Sequence, residues 1–121
     1  MVQTYEQQLL EGWEDVFKKG QLTLWILLAL KDGPKHMADI KAFILQATEG
    51  LLEADDKSMY RALRRYNDVE MVEYRTEAND KGPDRKVYEL TDTGLNVLDQ
   101  FVRRNILNVF LKPSVRRLLE R

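Results

Sequence analysis

The sequence predicts a mainly α-helical protein that carries one small β-wing, an α+β chain. Three observations lead there. Apolar residues recur at helical spacing through most of the 121 residues, the mark of helices buried along one side. One stretch, Met71–Ala78, instead alternates with period two. A turn-rich Asn79-Asp80-Lys81-Gly82-Pro83-Asp84 follows it, and Arg85–Leu90 reads as the returning strand.

The composition, 44% apolar and 32% charged, is that of one globular domain, large enough to bury roughly two-thirds of its unfolded surface. With no cysteine, disulfides and thiolate metal sites are excluded. Met1–Glu6 lacks the basic-then-apolar pattern of a secretory signal. The longest apolar stretch, Leu24–Leu30, is far too short to cross a bilayer. A cytoplasmic protein with no membrane partner is expected.

Thr4 and Gln7 form a capping box, in which each side chain satisfies an orphan amide of the first turn. Tyr5, Leu9, Trp13, Val16 and Phe17 follow at helical spacing, giving a helix over about 4–19. Leu22–Leu30 is apolar almost all round and predicts a helix enclosed by its neighbours, with Trp25 in the core. Asp32-Gly33-Pro34 stops it, and a third helix runs over His36–Ala47. Asp55-Asp56 offers an N-cap for a fourth. Thr91 caps a last long helix, 92–110, with Leu95, Leu98, Val102, Ile106 and Val109 as its main stripe and Val97, Phe101 and Phe110 widening it. Pro113 ends that helix, and Ser114 caps a short basic tail, Val115–Arg121.

The fourth helix is the informative one. At 100° per residue, Met59, Ala62, Leu63 and Tyr66 gather on one arc. Lys57, Ser58, Tyr60, Arg61, Arg64 and Arg65 fill the other. Between Lys57 and Tyr66 stand four basic residues and no acid, so a net charge of −1 leaves −5 for the rest of the chain. Charge runs are usually solvated faces, yet surface helices normally mix signs, and four like charges repel unless something anionic offsets them. A local positive patch on an acidic body still attracts phosphates, whose field reaches about a Debye length, roughly 10 Å at 0.1 M salt.

Compact helices followed by a two-stranded wing make the winged form of the helix-turn-helix. Double-stranded DNA is then the expected partner. Arg61, Arg64 and Tyr60 are placed for base edges or nearby phosphates, Lys57 and Ser58 for phosphate at the helix start, and Arg65 lies at the margin. Lys81, Arg85 and Lys86 on the wing are expected at the minor groove or backbone. The doubly apolar terminal helix suggests a homodimer, with residues 1–19 supporting it, 20–91 reading DNA and 92–121 joining the protomers. Trp13, Phe101 and Phe110 line a dimer cavity or simply pack the interface. The lone His36 reads as structural. No metal set, nucleophilic triad or phosphate-binding glycine motif is present, so neither a cofactor nor an enzyme is expected.

Several segments resemble the PadR family of transcriptional regulators, over about residues 17–100. Lys19-Gly20 is similar to that family's opening, and Gly33-Pro34 with His36, Asp39 and Ile40 to its Gly-Pro…His-Gly-Tyr-(Glu/Asp)-Ile segment. Ser58-Met59-Tyr60-Arg61-Ala62-Leu63-Arg64-Arg65 resembles its recognition helix, and Gly82–Gly94 its wing and the Leu-Thr-x-x-Gly beyond. Met37-Ala38 replaces the usual Gly-Tyr, and Glu70 stands where a Gly usually precedes the wing strand. If position 70 needs a positive φ, Glu there costs on the order of 1 kcal/mol. The resemblance implies a homodimer held by the C-terminal helix. It also implies a repressor that leaves a pseudo-palindromic operator when a small hydrophobic or aromatic effector binds. A winged-helix module that binds protein, or a DNA-binding regulator without an effector, is the alternative.

Overall fold

The computed structural model describes residues 2–120. Helix α1 (Tyr5–Lys18) leads to α2 (Leu22–Asp32), a two-residue strand β1 (Lys35–His36) and α3 (Met37–Ala47). Helix α4 (Asp56–Asp68) comes next, then the hairpin β2 (Val72–Glu77) and β3 (Arg85–Leu90). Helix α5 (Asp92–Val102) runs through a wide π-helical turn (Arg103–Leu107) into α6 (Asn108–Phe110), and α7 (Pro113–Leu119) closes the described chain. The expected mainly α fold with a β-wing is what forms. Met1 and Arg121, the outer ends of the first and last expected segments, lie outside the described residues.

The core takes one face from each of α2, α3, α4, α5 and the two hairpin strands. Ile26, Leu27, Ala29 and Leu30 of α2 meet Ile40 and Ile44 of α3, Met59 and Leu63 of α4, Val72, Tyr88 and Leu98. Helix α2 supplies four of these, as an all-apolar helix must when neighbours surround it. Trp25 is not fully enclosed. It packs partly buried against the core and turns its indole N–H to Gln21 (3.4 Å). A large ring with one polar edge settles at such a margin.

The sheet has a strand that periodicity could not reveal. Its order is β1-β3-β2, all antiparallel, with Lys35 opposite Tyr88 and His36 opposite Val87. Two residues carry no alternation to detect. Lys35 also closes the end of α2, donating to the Ala29 carbonyl (2.9 Å) and Asp32 (2.8 Å). Its ammonium lies 5.2 Å from the Phe43 ring centre.

Two C-terminal expectations need correction. The single helix over 92–110 is interrupted by the wide turn at Arg103–Leu107. There the Asn105 side-chain amide donates to the Phe101 carbonyl (3.1 Å), the acceptor its own N–H would use in a regular α-helix. Ser114 does not cap the tail: Pro113 occupies the first turn of α7, and Lys112 precedes it without a side-chain cap. A proline at that place forfeits no bond, because first-turn amides lack helical partners anyway.

Candidate nucleic-acid interface

Asp55 starts α4. Its carboxylate accepts from the Ser58 backbone N–H (2.8 Å) and from the Ser58 hydroxyl (2.9 Å). Those bonds, the backbone one first, hold the Asp55 carboxyl below its ordinary pKa. Lys41 of α3 reaches Asp56 at 2.6 Å and ties α3 to the start of α4. That bond raises the Lys41 pKa. Met59 and Leu63 are sealed in the core, with Ala62 and Tyr66 half-buried beside them. A helix pinned along that arc presents Lys57, Tyr60, Arg61, Arg64 and Arg65 outward, and all five are exposed.

Among the described residues, none of these four cations has a carboxylate within ion-pair distance. Elsewhere Lys31, Lys35, Lys41 and Arg116 do. Ser58 is placed differently from its neighbours. Its hydroxyl is turned to Asp55, so it serves the cap first.

The basic face has two flanks. Toward α2, Ser58, Arg61 and Arg65 border a shallow cleft with Thr23 and Tyr66, where the Thr23 hydroxyl meets the Tyr66 hydroxyl at 3.3 Å. The Arg65 guanidinium lies 5.9 Å from the Tyr66 ring centre. Toward the wing, Tyr60, Arg64 and Asn67 face Tyr74, Lys86 and Tyr88 across an open cleft of about 480 Å³.

Strand register sorts the wing cations. Tyr74 pairs with Tyr88 and Thr76 with Lys86, so these four share the sheet face that looks at α4. Arg85 and Arg75, one residue out of phase, belong to the other face. Lys81 sits at the tip, where its N–H donates to Asn79 Oδ1 (3.2 Å). Nothing in the sequence alone singles out Arg75 and Tyr74. The signal was the phase of Met71–Ala78 relative to Lys86, which is unreadable until the hairpin register is known. Tyr88 is buried, which pushes its hydroxyl pKa up. The Tyr74 and Tyr88 rings stand 5.8 Å apart, and the Lys86 ammonium is 4.4 Å from the Tyr74 ring centre.

The angle between α4 and the wing is set by a bonded corner. Met71 N–H donates to the Tyr66 carbonyl (2.9 Å) and Asn67 Nδ2 to the Val72 carbonyl (3.0 Å). Glu70 lies at φ 62°, in the left-handed region. Thr91 clamps the corner to α5. Its hydroxyl donates to the Glu70 carbonyl (2.6 Å) and accepts from the Gly94 N–H (3.0 Å), while its own N–H donates to the Met71 carbonyl (3.1 Å). His36 anchors the wing's other side, with Nδ1 3.4 Å from the Lys86 carbonyl and Nε2 3.7 Å from Glu77.

The residues expected to join two protomers divide. Leu98 is only 2% exposed and belongs to the chain's own core, so it cannot face a partner. Helix α5 turns that side inward because Gly94 brings its start onto Met71. Val102 and Ile106 are half-buried, while Leu95 and Val109 are exposed. Trp13 is 73% exposed and Phe110 45%. Phe101 lines an apolar cleft of about 340 Å³ with Leu24, Leu27, Tyr66, Met71 and Val97, which includes neither Trp13 nor Phe110. No helix among the described residues is long and apolar enough to cross a membrane.

The model of the transcriptional regulator PadR-like family matches residues 26–100. The chain belongs to the PadR-like family. That match spans the core, α4, the wing and the bonded corner. No curated protein sequence matches the chain. Bacillus subtilis PadR, solved in complex with operator DNA, is similar with 25% identity and a TM-score of 0.63. The similarity covers 69% of this chain and 48% of that one, so the chain spans about half the length of that relative. A PadR-like transcriptional regulator from Bacillus cereus has 24% identity and a TM-score of 0.65, over 85% of this chain and 95% of that one. A PadR family regulator from Eggerthella lenta has 19% identity and a TM-score of 0.71, over 95% and 96%. The latter two share the fold. PadR-like proteins are transcriptional regulators rather than enzymes.

Proposed function

We propose that this PadR-like chain is a sequence-specific DNA-binding regulator, a homodimer that represses from a pseudo-palindromic operator. The observation that carries the reading is the exposed face of α4. It holds four cations without carboxylate partners among the described residues, beside a wing whose Lys86 faces the same cleft. Arg61 and Arg64 take base edges or adjacent phosphates with Tyr60, while Lys57, Arg65 and the wing cations Lys81, Arg85 and Lys86 take backbone. The operator complex of Bacillus subtilis PadR supports this reading.

Residues 20–91 act as the DNA-reading unit, and residues 1–19 and 92–121 join two copies. Leu9, Trp13, Val16 and Phe17 of α1 and Phe101, Val109 and Phe110 near the C-terminus are exposed in one chain, an apolar surface that a second copy would cover. The two-fold then sets the recognition helices about 34 Å apart, one turn of DNA. A small hydrophobic or aromatic effector bound against Trp13, Phe101 or Phe110 at that interface would release the operator.

The deciding experiment selects bound sites from random duplexes and measures affinity against salt for the wild type, Arg61→Ala and Arg64→Ala. Each substitution is expected to lose about 1–3 kcal/mol at the selected site. Unchanged affinity in both refutes the assignment of this face. No binding at any salt concentration refutes the DNA reading and favours a winged helix that binds protein.

A further inference from the structure

The wing holds one cation in a way that its other cations do not share. Lys86 lies on β3, the central strand, so its backbone is fixed on both sides, by Thr76 of β2 and by His36 near its carbonyl. Only the four-carbon stem remains free to choose where the charge goes. Tyr74 restricts that choice: the ammonium stands 4.4 Å from its ring centre, a cation–π contact. Tyr74 is itself steadied by the ring of Tyr88, 5.8 Å away, and Tyr88 is part of the core. A relay of three side chains thus runs from the core to a charge at the mouth of the cleft shared with Tyr60 and Arg64. Asp68 also lines that cleft, yet it makes no ion pair with Lys86 among the described residues.

We propose that Tyr74 is a positioning residue that holds Lys86 over the cleft between α4 and the wing, where Lys86 contacts a DNA phosphate. This inference rests on the DNA-binding reading above. A recognition helix in the major groove and a wing at the adjacent minor groove straddle the strand between them, and the cleft lies between those two elements. The ring covers one side of the ammonium and leaves its other N–H donors to the phosphate. Lys86 then arrives with its rotamer already selected and gives up less side-chain freedom on binding. Among the described residues Arg85, on the opposite sheet face, has no such contact with a ring.

The test uses the full chain and a random-sequence duplex, with affinity followed across a salt series for the wild type, Tyr74→Phe, Tyr74→Leu, Lys86→Ala and the double variant. Lys86→Ala should lower the slope of log affinity against log salt by about 0.9, one phosphate contact. Tyr74→Phe keeps a π face and should match the wild type. Tyr74→Leu should weaken binding about two- to fivefold, the range of an exposed cation–π contact. The double variant should bind no more weakly than Lys86→Ala. Wild-type affinity in Tyr74→Leu, equal losses in Tyr74→Phe and Tyr74→Leu, or full additivity in the double variant overturns the proposal. If Tyr74→Leu fails to fold, Tyr74→Trp takes its place and should bind at least as tightly as the wild type; weaker binding overturns the proposal. An NMR measurement without DNA separates the two layers. Ring-current shifts on the Lys86 ε-protons that vanish in Tyr74→Leu report the contact itself. Their absence in the wild type overturns the positioning role, whereas their presence in a protein that binds no duplex overturns the DNA reading.

Discussion

Replacing Gly94 by alanine should destabilise this protein, although helix propensity argues the reverse. Gly94 is the third residue of α5, and alanine inside a helix is ordinarily favoured over glycine by about 0.5–1 kcal/mol. A Cβ built at this position falls against the Met71 carbonyl carbon and oxygen and approaches its Cα. The obstacle is backbone, and that backbone is held by the Thr91 N–H, so no side-chain rotation relieves the overlap. Overpacking of this kind costs about 1–3 kcal/mol or more, which outweighs the propensity gain. Against fixed backbone the upper part of that range applies, about 2–3 kcal/mol; less the propensity gain it leaves about 1–2.5 kcal/mol, and at roughly 4 °C per kcal/mol for a chain of this size the melting temperature should fall by about 4–10 °C. Thermal unfolding followed by circular dichroism measures it, with Gly12→Ala as the control, because nothing lies within 4 Å of a Cβ at Gly12. A Gly94→Ala variant as stable as the wild type, or more stable, would refute the close approach of α5 to the wing corner.

Other substitutions should separate the remaining contacts. Glu70→Gly should stabilise by up to about 1 kcal/mol in denaturant titration, since residue 70 sits at φ 62°; a loss of stability contradicts it. Leu98→Ala should cost about 2–5 kcal/mol at any protein concentration because Leu98 packs within its own chain. Phe110→Ala should instead weaken self-association in sedimentation while leaving unfolding of the isolated protomer nearly unchanged; the opposite pattern would exchange their roles. The Asp55 carboxyl is depressed when folded, so its contribution is whole above the ordinary carboxylate pKa and is lost as pH falls through the lower folded value. Asp55→Asn keeps a capping oxygen without the titration, and should flatten the acid side of the stability profile.

Much of the fold was legible because it follows local rules. The Thr4–Gln7 box, the Asp55 cap and the Thr91 cap all form, since each needs only residues three apart. The inward arc of α4 was legible for the same reason: helical spacing places Met59 and Leu63 on one side whatever they pack against. The placement of Leu98 was not. Two apolar stripes on one helix say that both must be covered, and nothing in their spacing says which by its own chain. Strand β1 has no signature in the sequence because two residues pair only when the hairpin already exists to receive them.

The sequence by itself determined a basic helix face with no internal counter-charge and a hairpin after it, because charge and periodicity are properties of neighbouring residues. Only the tertiary structure decided how these parts combine. Hairpin register put Lys86 on the α4 side and Arg85 on the other, a one-residue phase that composition does not carry. The corner of Glu70, Met71, Thr91 and Gly94 set the wing against the helix through bonds spanning about twenty residues, as from Thr91 to Glu70. Those bonds exist only once the backbone polar groups of distant segments have to satisfy one another.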